Sequence, residues 1–329
     1  MNRSNLISKI ILGITIGILI FGVYSTIKKY DITDLNSTTK NLKTANFWEL
    51  TNPISIDDAN PSNDWSKTAS DNDWCSGSGT YSDPYIIENV IIQPTDLISG
   101  IMIKNSYVNF IIKNCTILNI KSTSFLSETY DYGIKLDNVA NGKLIDNNVS
   151  NNQQLGIHLY YSDNITLSGN LANDNSECGI RLQVSSNNAI IGNTFSENGE
   201  VGIEINNLSK NNTISQNTVS NNDNGVIVGL ECNNNTITEC TINDNLLGIL
   251  LSRANGNTII GNILTGNKDC IEEFQSSYNT IENNDCREHE SSNGSAVPGY
   301  DLAILTILIG VVSTLSAIIF RKRFKNTKG

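Results

Sequence analysis

Apolar and polar residues alternate after each of six glycines, Gly133, Gly156, Gly179, Gly202, Gly225 and Gly248, and each step between them is 23 residues. The first instances read Ile134, Lys135, Leu136, Asp137; then Ile157, His158, Leu159, Tyr160; then Ile180, Arg181, Leu182, Gln183; then Ile203, Glu204, Ile205, Asn206. Alternation at period two marks a strand with one face buried. Further apolar residues follow roughly eleven and sixteen places past the glycine, as in Leu144 and Val149, Ile190 and Phe195, or Ile259 and Leu264. Each unit thus predicts three short strands, and the fixed period predicts that the units stack.

Between the strands Asn returns in two columns. One runs through Asn147, Asn170, Asn193, Asn217, Asn262 and Asn284, with Cys240 in one place; the other through Asn152, Asn175, Asn198, Asn222, Asn245 and Asn267. Asn tolerates left-handed turns, and its amide both donates and accepts, so identical side chains one coil apart can bond along the column. The coils starting at Gly202 and Gly225 each hold one extra residue, a local register adjustment. The expected fold is all-β, a right-handed parallel β-helix of about eight coils over residues 100–286. Its first coil runs from Gly100 to Asn114 with Ile101, Ile103 and Ile111 inward, and an insertion spans Ile120 to Tyr132. Near Cys270, Glu273 takes the slot that Leu or Ile fills elsewhere, so the apolar stack ends there. No coil of this size can stand alone, so both ends need covers.

Residues 48–99 differ from the repeats. They contain all three tryptophans, Trp48, Trp65 and Trp74, with Tyr81 and Tyr85, and they predict an N-terminal cap over the first coil. The polar stretch before it, within residues 30–47, reads as a linker. At the start, Arg3 and Lys9 precede an apolar run from Ile10 to Tyr24, so residues 1–29 predict a signal peptide or a signal anchor. A second linker, residues 287–301, leads to 19 uncharged residues from Leu302 to Phe320, long enough for a transmembrane helix. Residues 321–329 carry Arg321, Lys322, Arg323, Lys325 and Lys328, which predicts a cytoplasmic tail and an extracellular repeat domain.

Charge supports this division. The chain of 329 residues has a net charge of −11, but all 33 acidic residues and only 13 of the 22 basic ones lie in residues 30–301, which therefore carry −20. Nucleic acid is excluded as a partner on that ground. The seven cysteines have no C-x-x-C spacing and read as core fillers with one or two bridges. Sequons at Asn36, Asn114, Asn164, Asn211, Asn234 and Asn293 permit glycosylation of an exported chain.

The stretch Trp74-Cys75-Ser76-Gly77-Ser78-Gly79-Thr80, followed by Asp83-Pro84-Tyr85-Ile86-Ile87 and the Gly-Ile and Asn repeats, resembles NosD-like β-helix proteins of the carbohydrate-binding and sugar-hydrolase type found on archaeal surfaces. Pro298-Gly299-Tyr300-Asp301 before the apolar segment resembles the first part of an archaeal surface-sorting tail. The resemblance covers residues 48–284 and implies the fold strongly and the chemistry weakly, since such proteins include lyases, epimerases and hydrolases. A copper role fits poorly, because only His158, His289, Met1 and Met102 stand beside the scattered cysteines.

The sharpest chemical feature is the outward position two past each glycine, which stacks Lys135, His158, Arg181 and Glu204 about 4.8 Å apart. With Asp137, Tyr160 and Tyr161 beside them, these residues form a candidate glycan-binding face, aromatic rings stacking on sugars and charges meeting hydroxyls or carboxylates. As catalytic candidates, His158 would be the base, Tyr160 the acid, and Lys135 and Arg181 the partners of a uronate carboxylate. An outward solenoid strand is also simply expected to be polar. No metal ligand set is written in the sequence, and no cofactor is implied. Asp174, Glu197 and Asp244 recur at one edge and make calcium a candidate. The expected role is a membrane-anchored extracellular module for surface recognition or structure, by carbohydrate binding. The alternative is a polysaccharide lyase, epimerase or hydrolase. The paired-Asp and Gly-His-Gly motifs of polygalacturonases are absent.

Replacing the inward Leu182 with Ala is expected to cost about 2–5 kcal/mol through the cavity it leaves, and replacing Gln183 beside it almost nothing. Equal losses in chemical denaturation would reject this register.

Overall fold

A computed structural model describes residues 42–44, 47–93, 99–121 and 132–287. The predicted N-terminal apolar segment, the insertion at 122–131, the second linker beyond residue 287, the C-terminal span and the basic tail lie outside the described residues. Among the described residues no helix is long and apolar enough to cross a membrane.

The described chain is a parallel β-solenoid. Its first sheet holds nine strands, running from Ile54–Asp57 through Ser99–Ser106, Tyr132–Val139, Leu155–Tyr160, Cys178–Gln183, Val201–Asn206, Asn224–Val228 and Leu247–Ser252 to Asp269–Phe274, all parallel. A second sheet of ten strands flanks it. The third side is continuous from Thr194–Ser196 to Asp285–Arg287 and is reduced upstream to single bridges at Asn148 and Leu171. About eight coils follow the prediction, and the region read as a cap contributes one more rung, because Ile54–Asp57 and Tyr85–Glu88 already lie in the first two sheets.

Inside, β-branched aliphatic residues repeat in register. Ile101, Ile134, Ile157, Ile180, Ile203, Val226 and Ile249 form one fully buried column. In the coil from Gly100 the sequence placed Ile111 inward, but Ile112 is the buried residue and Ile111 faces outward, half-buried. The reason lies in the pairing. Ile112 stands opposite Ile87 and Leu144, both fully buried, so the strand Phe110–Lys113 follows its neighbours one residue out of the expected phase.

The glycine column is explained by crowding rather than by backbone conformation. A Cβ added to Gly133 would stand 2.7 Å from the carbonyl oxygen of Gly156 and 2.9 Å from Asn152 Nδ2, and one on Gly156 would meet Gly179 O at 2.6 Å. The glycines mark the corner where the second Asn column turns the chain.

Both Asn columns form ladders. Asn170 Nδ2 donates to Asn193 Oδ1 at 2.8 Å, and the backbone N–H of Asn170 donates to the same oxygen at 2.9 Å. The second column repeats this at Asn152, Asn175, Asn198 and Asn222. Two ladders were not foreseen: Asn188, Asn212, Asn235, Asn257 and Asn279, and a shorter one of Ser162, Ser185 and Ser209. The left-handed residue also differs from the expectation. It is the residue before the ladder Asn, as at Asp146, Gly169 and Gly192, or Asn151, Asp174 and Glu197. The extra residue predicted for two coils shows as a stacking offset of 24 from Asn193 to Asn217 that returns to 22 from Asn245 to Asn267.

At the N-terminal end the helix Trp65–Asp71, capped by Asp64 accepting from Lys67 N at 2.7 Å, lays Trp65 over the first coil. The Trp65 ring stacks on Tyr85 with centroids 5.2 Å apart, and its N–H donates to Ser106 Oγ at 2.9 Å. Trp74 is buried and Trp48 half-buried, as a cap requires, but Tyr81 is 90% exposed and takes no part. Part of the predicted first linker is also strand, since Leu42–Thr44 pairs antiparallel with Phe47–Leu50. At the other end Glu273 stands opposite Leu251 and is exposed. A disulfide between Cys270 and Cys286 ties the first strand of the last coil to its third. The other five cysteines are free and buried.

Cys240 breaks the first ladder, placing a thiol 3.9 Å from Asn217 Nδ2 where other coils offer an amide oxygen. Cys240→Asn is therefore expected to stabilise the protein by about 1 kcal/mol. An unchanged or lower denaturation midpoint would count against the ladder as a source of stability.

Candidate functional site

The predicted column is real as a set of rungs. Lys135, His158, Arg181 and Glu204 pair in register on successive strands of the first sheet, and Asp137, Tyr160, Gln183 and Asn206 form the parallel column beside them. Tyr161 follows at the strand end in a left-handed turn and is 42% exposed. The structure therefore brings together all seven residues read from the sequence.

Their environment is not the open polar surface that alternation predicts. His158 is only 5% exposed. Its ring stacks on Tyr132 with centroids 5.1 Å apart and lies 5.7 Å from that of Tyr160. The cause is a third outward column at the place before each glycine. Tyr132, Leu155, Cys178 and Val201 stand there in register and form a second small apolar cluster, buried on the outside of the barrel. The signal was present in the sequence as a run of apolar residues before four successive glycines. Period-two reasoning begins at the glycine and so passes over it.

Burial holds the His158 imidazole down to about 3, aided by the nearby charges of Arg181 and Lys135 and opposed weakly by Gln183. Neither ring nitrogen makes a well-formed hydrogen bond. Burial thus keeps the ring neutral and disfavours the protonated state that a general base must pass through.

The charges are engaged with one another. Lys135 Nζ lies 3.2 Å from Asp137 Oδ2 and sits over the rings of Tyr132 and Tyr160 at 5.1 and 5.4 Å. Arg181 pairs through Nε with Glu204 and through Nη2 with Glu177 at 3.6 Å. Burial alone would disfavour the guanidinium charge, but Glu204 more than offsets this and raises its pKa. Asn206 Nδ2 and Cys178 Sγ both donate to the Glu204 carboxylate, at 3.0 and 3.6 Å. Burial pushes the Cys178 thiol well up, so it is not a ready nucleophile. Glu200 is raised first by burial and then by Glu177 one coil below, and Asp223 is raised by burial. Glu177, Gln183 and Asn206 thus belong to the site and were not singled out for it.

Asp174, Glu197 and Asp244 occupy the left-handed position before a ladder Asn, on the corner of the second ladder. Among the described residues no three His, Cys, Asp or Glu side chains gather to hold a metal ion.

The family model described as "Right handed beta helix region" matches residues 75–242, and that described as "Periplasmic copper-binding protein (NosD)" matches residues 200–298. Among the described residues of the second match Cys232 and Cys240 are buried, their sulfurs turned to backbone carbonyls of the barrel and their thiols raised by burial, and Cys270 and Cys286 are joined in a disulfide, so these four sulfurs do not suit copper. No curated protein matches. Among solved structures, the Dettilon tailspike protein is 14% identical with a TM-score of 0.49, covering 72% of this chain and 59% of its own. A mutant of the periplasmic alginate epimerase AlgG is 15% identical with a TM-score of 0.45, covering 72% and 69%. PfbA, a surface adhesin of Streptococcus pneumoniae, is 16% identical with a TM-score of 0.41, covering 60% and 59%. The chain thus spans about three fifths of the tailspike's length, and at these values the likeness carries nothing about activity.

Because the His158 pKa is about 3 in the fold against 6.5 when free, the unfolded chain takes up a proton below pH 6.5 that the folded chain refuses. Stability from this group is full above pH 6.5 and falls as pH drops towards 3, by about 2 kcal/mol at pH 5. His158→Phe is expected to flatten the decline between pH 6.5 and 5 in urea titrations; parallel curves for parent and variant would contradict the burial of a neutral ring.

Proposed function

We propose, from the premise that this chain belongs to the right-handed β-helix family, that it is a glycan-recognition module whose binding face is the outer side of the first sheet. The observation that supports this is the pair Tyr160 and Tyr161, half-buried and exposed, set edge to face with centroids 4.6 Å apart, backed by the buried rings of Tyr132 and His158 and bordered by Gln183 and Asn206. Exposed aromatic faces take up sugar rings, and neighbouring amides exchange hydrogen bonds with their hydroxyls. Rigid strands hold these groups at a fixed spacing, which suits an extended chain of repeating units.

Recognition is favoured over lyase, epimerase or hydrolase chemistry by the state of His158 and by the mutual pairing of Lys135 and Arg181 with carboxylates. The setting belongs to the same proposal. Residues 302–320 would anchor the protein in the cell membrane with the repeat domain outside and residues 321–329 in the cytoplasm, as the distribution of basic residues favours. Calcium held along the edge that bears Asp174 and Glu197 would be an accessory to binding.

A glycan array probed with the protein, with and without calcium, tests the reading. At least one extended glycan should be retained, and Tyr160→Ala or Tyr161→Ala should weaken retention roughly tenfold while leaving the fold intact. Turnover of a uronate polymer that is lost in His158→Ala with binding kept would favour the enzymatic alternative instead.

A further inference from the structure

The charge arrangement on this face goes further than recognition, because it discriminates between kinds of glycan. The cations beside the aromatic group are flanked by carboxylates of the protein itself. Lys104 lies between Asp57 and Asp137 in its column, Lys135 pairs with Asp137, and Arg181 is held by Glu204 and Glu177. Further along, Glu200 and Asp223 follow Glu177 at intervals of one coil, and Glu200, raised first by burial, is raised further by the charge of Glu177. A cation already neutralised at contact distance has little attraction left for an outside anion, while the surplus carboxylates repel it.

Uncharged side chains border these charges. Tyr160, Gln183 and Asn206 are half-buried and Tyr161 is exposed, and they form a continuous strip beside the paired charges. Such a strip satisfies hydroxyls and ring faces, and offers a carboxylate neutral donors without a counter-charge.

We infer that the first-sheet face accepts uncharged glycan chains and rejects chains bearing uronate carboxylates, the specificity being set by Asp137, Glu177 and Glu204 acting as built-in occupants of the cationic positions. This rests on the recognition reading above. The discrimination is by repulsion as much as by fit, since any uronate would have to displace an internal carboxylate or lie against Glu200.

The experiment compares retention of the full-length protein on a panel of polyuronates, on the same polymers after chemical reduction of their carboxyl groups, and on neutral glucans, galactans and mannans. It is run at low salt with a calcium chelator. Retention on neutral or reduced chains at least roughly tenfold above that on the parent uronates is the expected result. Two variants probe the cause. Asp137→Asn with Glu177→Gln and Glu204→Gln frees Lys135 and Arg181. Glu200→Gln with Asp223→Asn removes repulsion without breaking an ion pair, and so covers the case in which the first variant fails to fold. Each folded variant should raise retention on uronates relative to that on neutral chains roughly tenfold. Equal or stronger binding of uronates by the parent would overturn the inference and leave recognition standing, as would folded variants with unchanged uronate binding. Failure to retain any glycan would overturn recognition and the inference with it.

Discussion

Everything in this structure depends on the bond that one coil makes with the next through its asparagines. A single coil cannot bury enough apolar surface to order itself, so what it gains must come from its neighbours. The Asn ladders supply this in a form that is also a ruler. Each amide oxygen accepts from the backbone N–H and the side chain of the coil below, as Asn193 does from Asn170, so the turn is completed only when the next coil is in place. The glycine corner makes the same demand sterically, because its neighbour's carbonyl leaves no room for a side chain. Coil spacing, and with it the spacing of every outward side chain, is therefore fixed by groups that take no part in binding.

That fixed spacing explains why the outer face of the first sheet is chemically dense. Long side chains on adjacent rungs stand about 4.8 Å apart, close enough for Arg181 to reach carboxylates on its own coil and the next. Opposite charges placed so near find each other before they find a ligand. The result is a face whose ionic groups brace the surface, with aromatic and amide side chains set among them.

The barrel was legible because its signals are periodic: inward Ile and Leu, the glycine column and two of the four ladders all repeat at a fixed step. The third Asn ladder was hidden among neighbouring asparagines, since Asn187, Asn211 and Asn234, the left-handed turn residues, each stand beside a ladder member. The phase of Phe110–Lys113 was misread for a related reason: with three apolar residues in a row, only the pairing partners decide which one faces in. At the site, the identity of the residues could be read but not their condition. The burial of His158 depends on Tyr132, which belongs to the preceding coil and to a different column, and no local pattern links the two.

The ladders and the glycine corner carry a consequence for how such a molecule changes length. The contact between one coil and the next is made of the same groups on both sides, so a whole 23-residue unit can be copied or lost between Gly156 and Gly179 with every bond across the seam remade. A fragment of a unit cannot. Descent by duplication would then extend or shorten the outer strip in steps of one rung, while the chemistry of each rung drifted by single substitutions. Reach and selectivity are separately adjustable in this architecture, the first by counting coils and the second by choosing what stands on them.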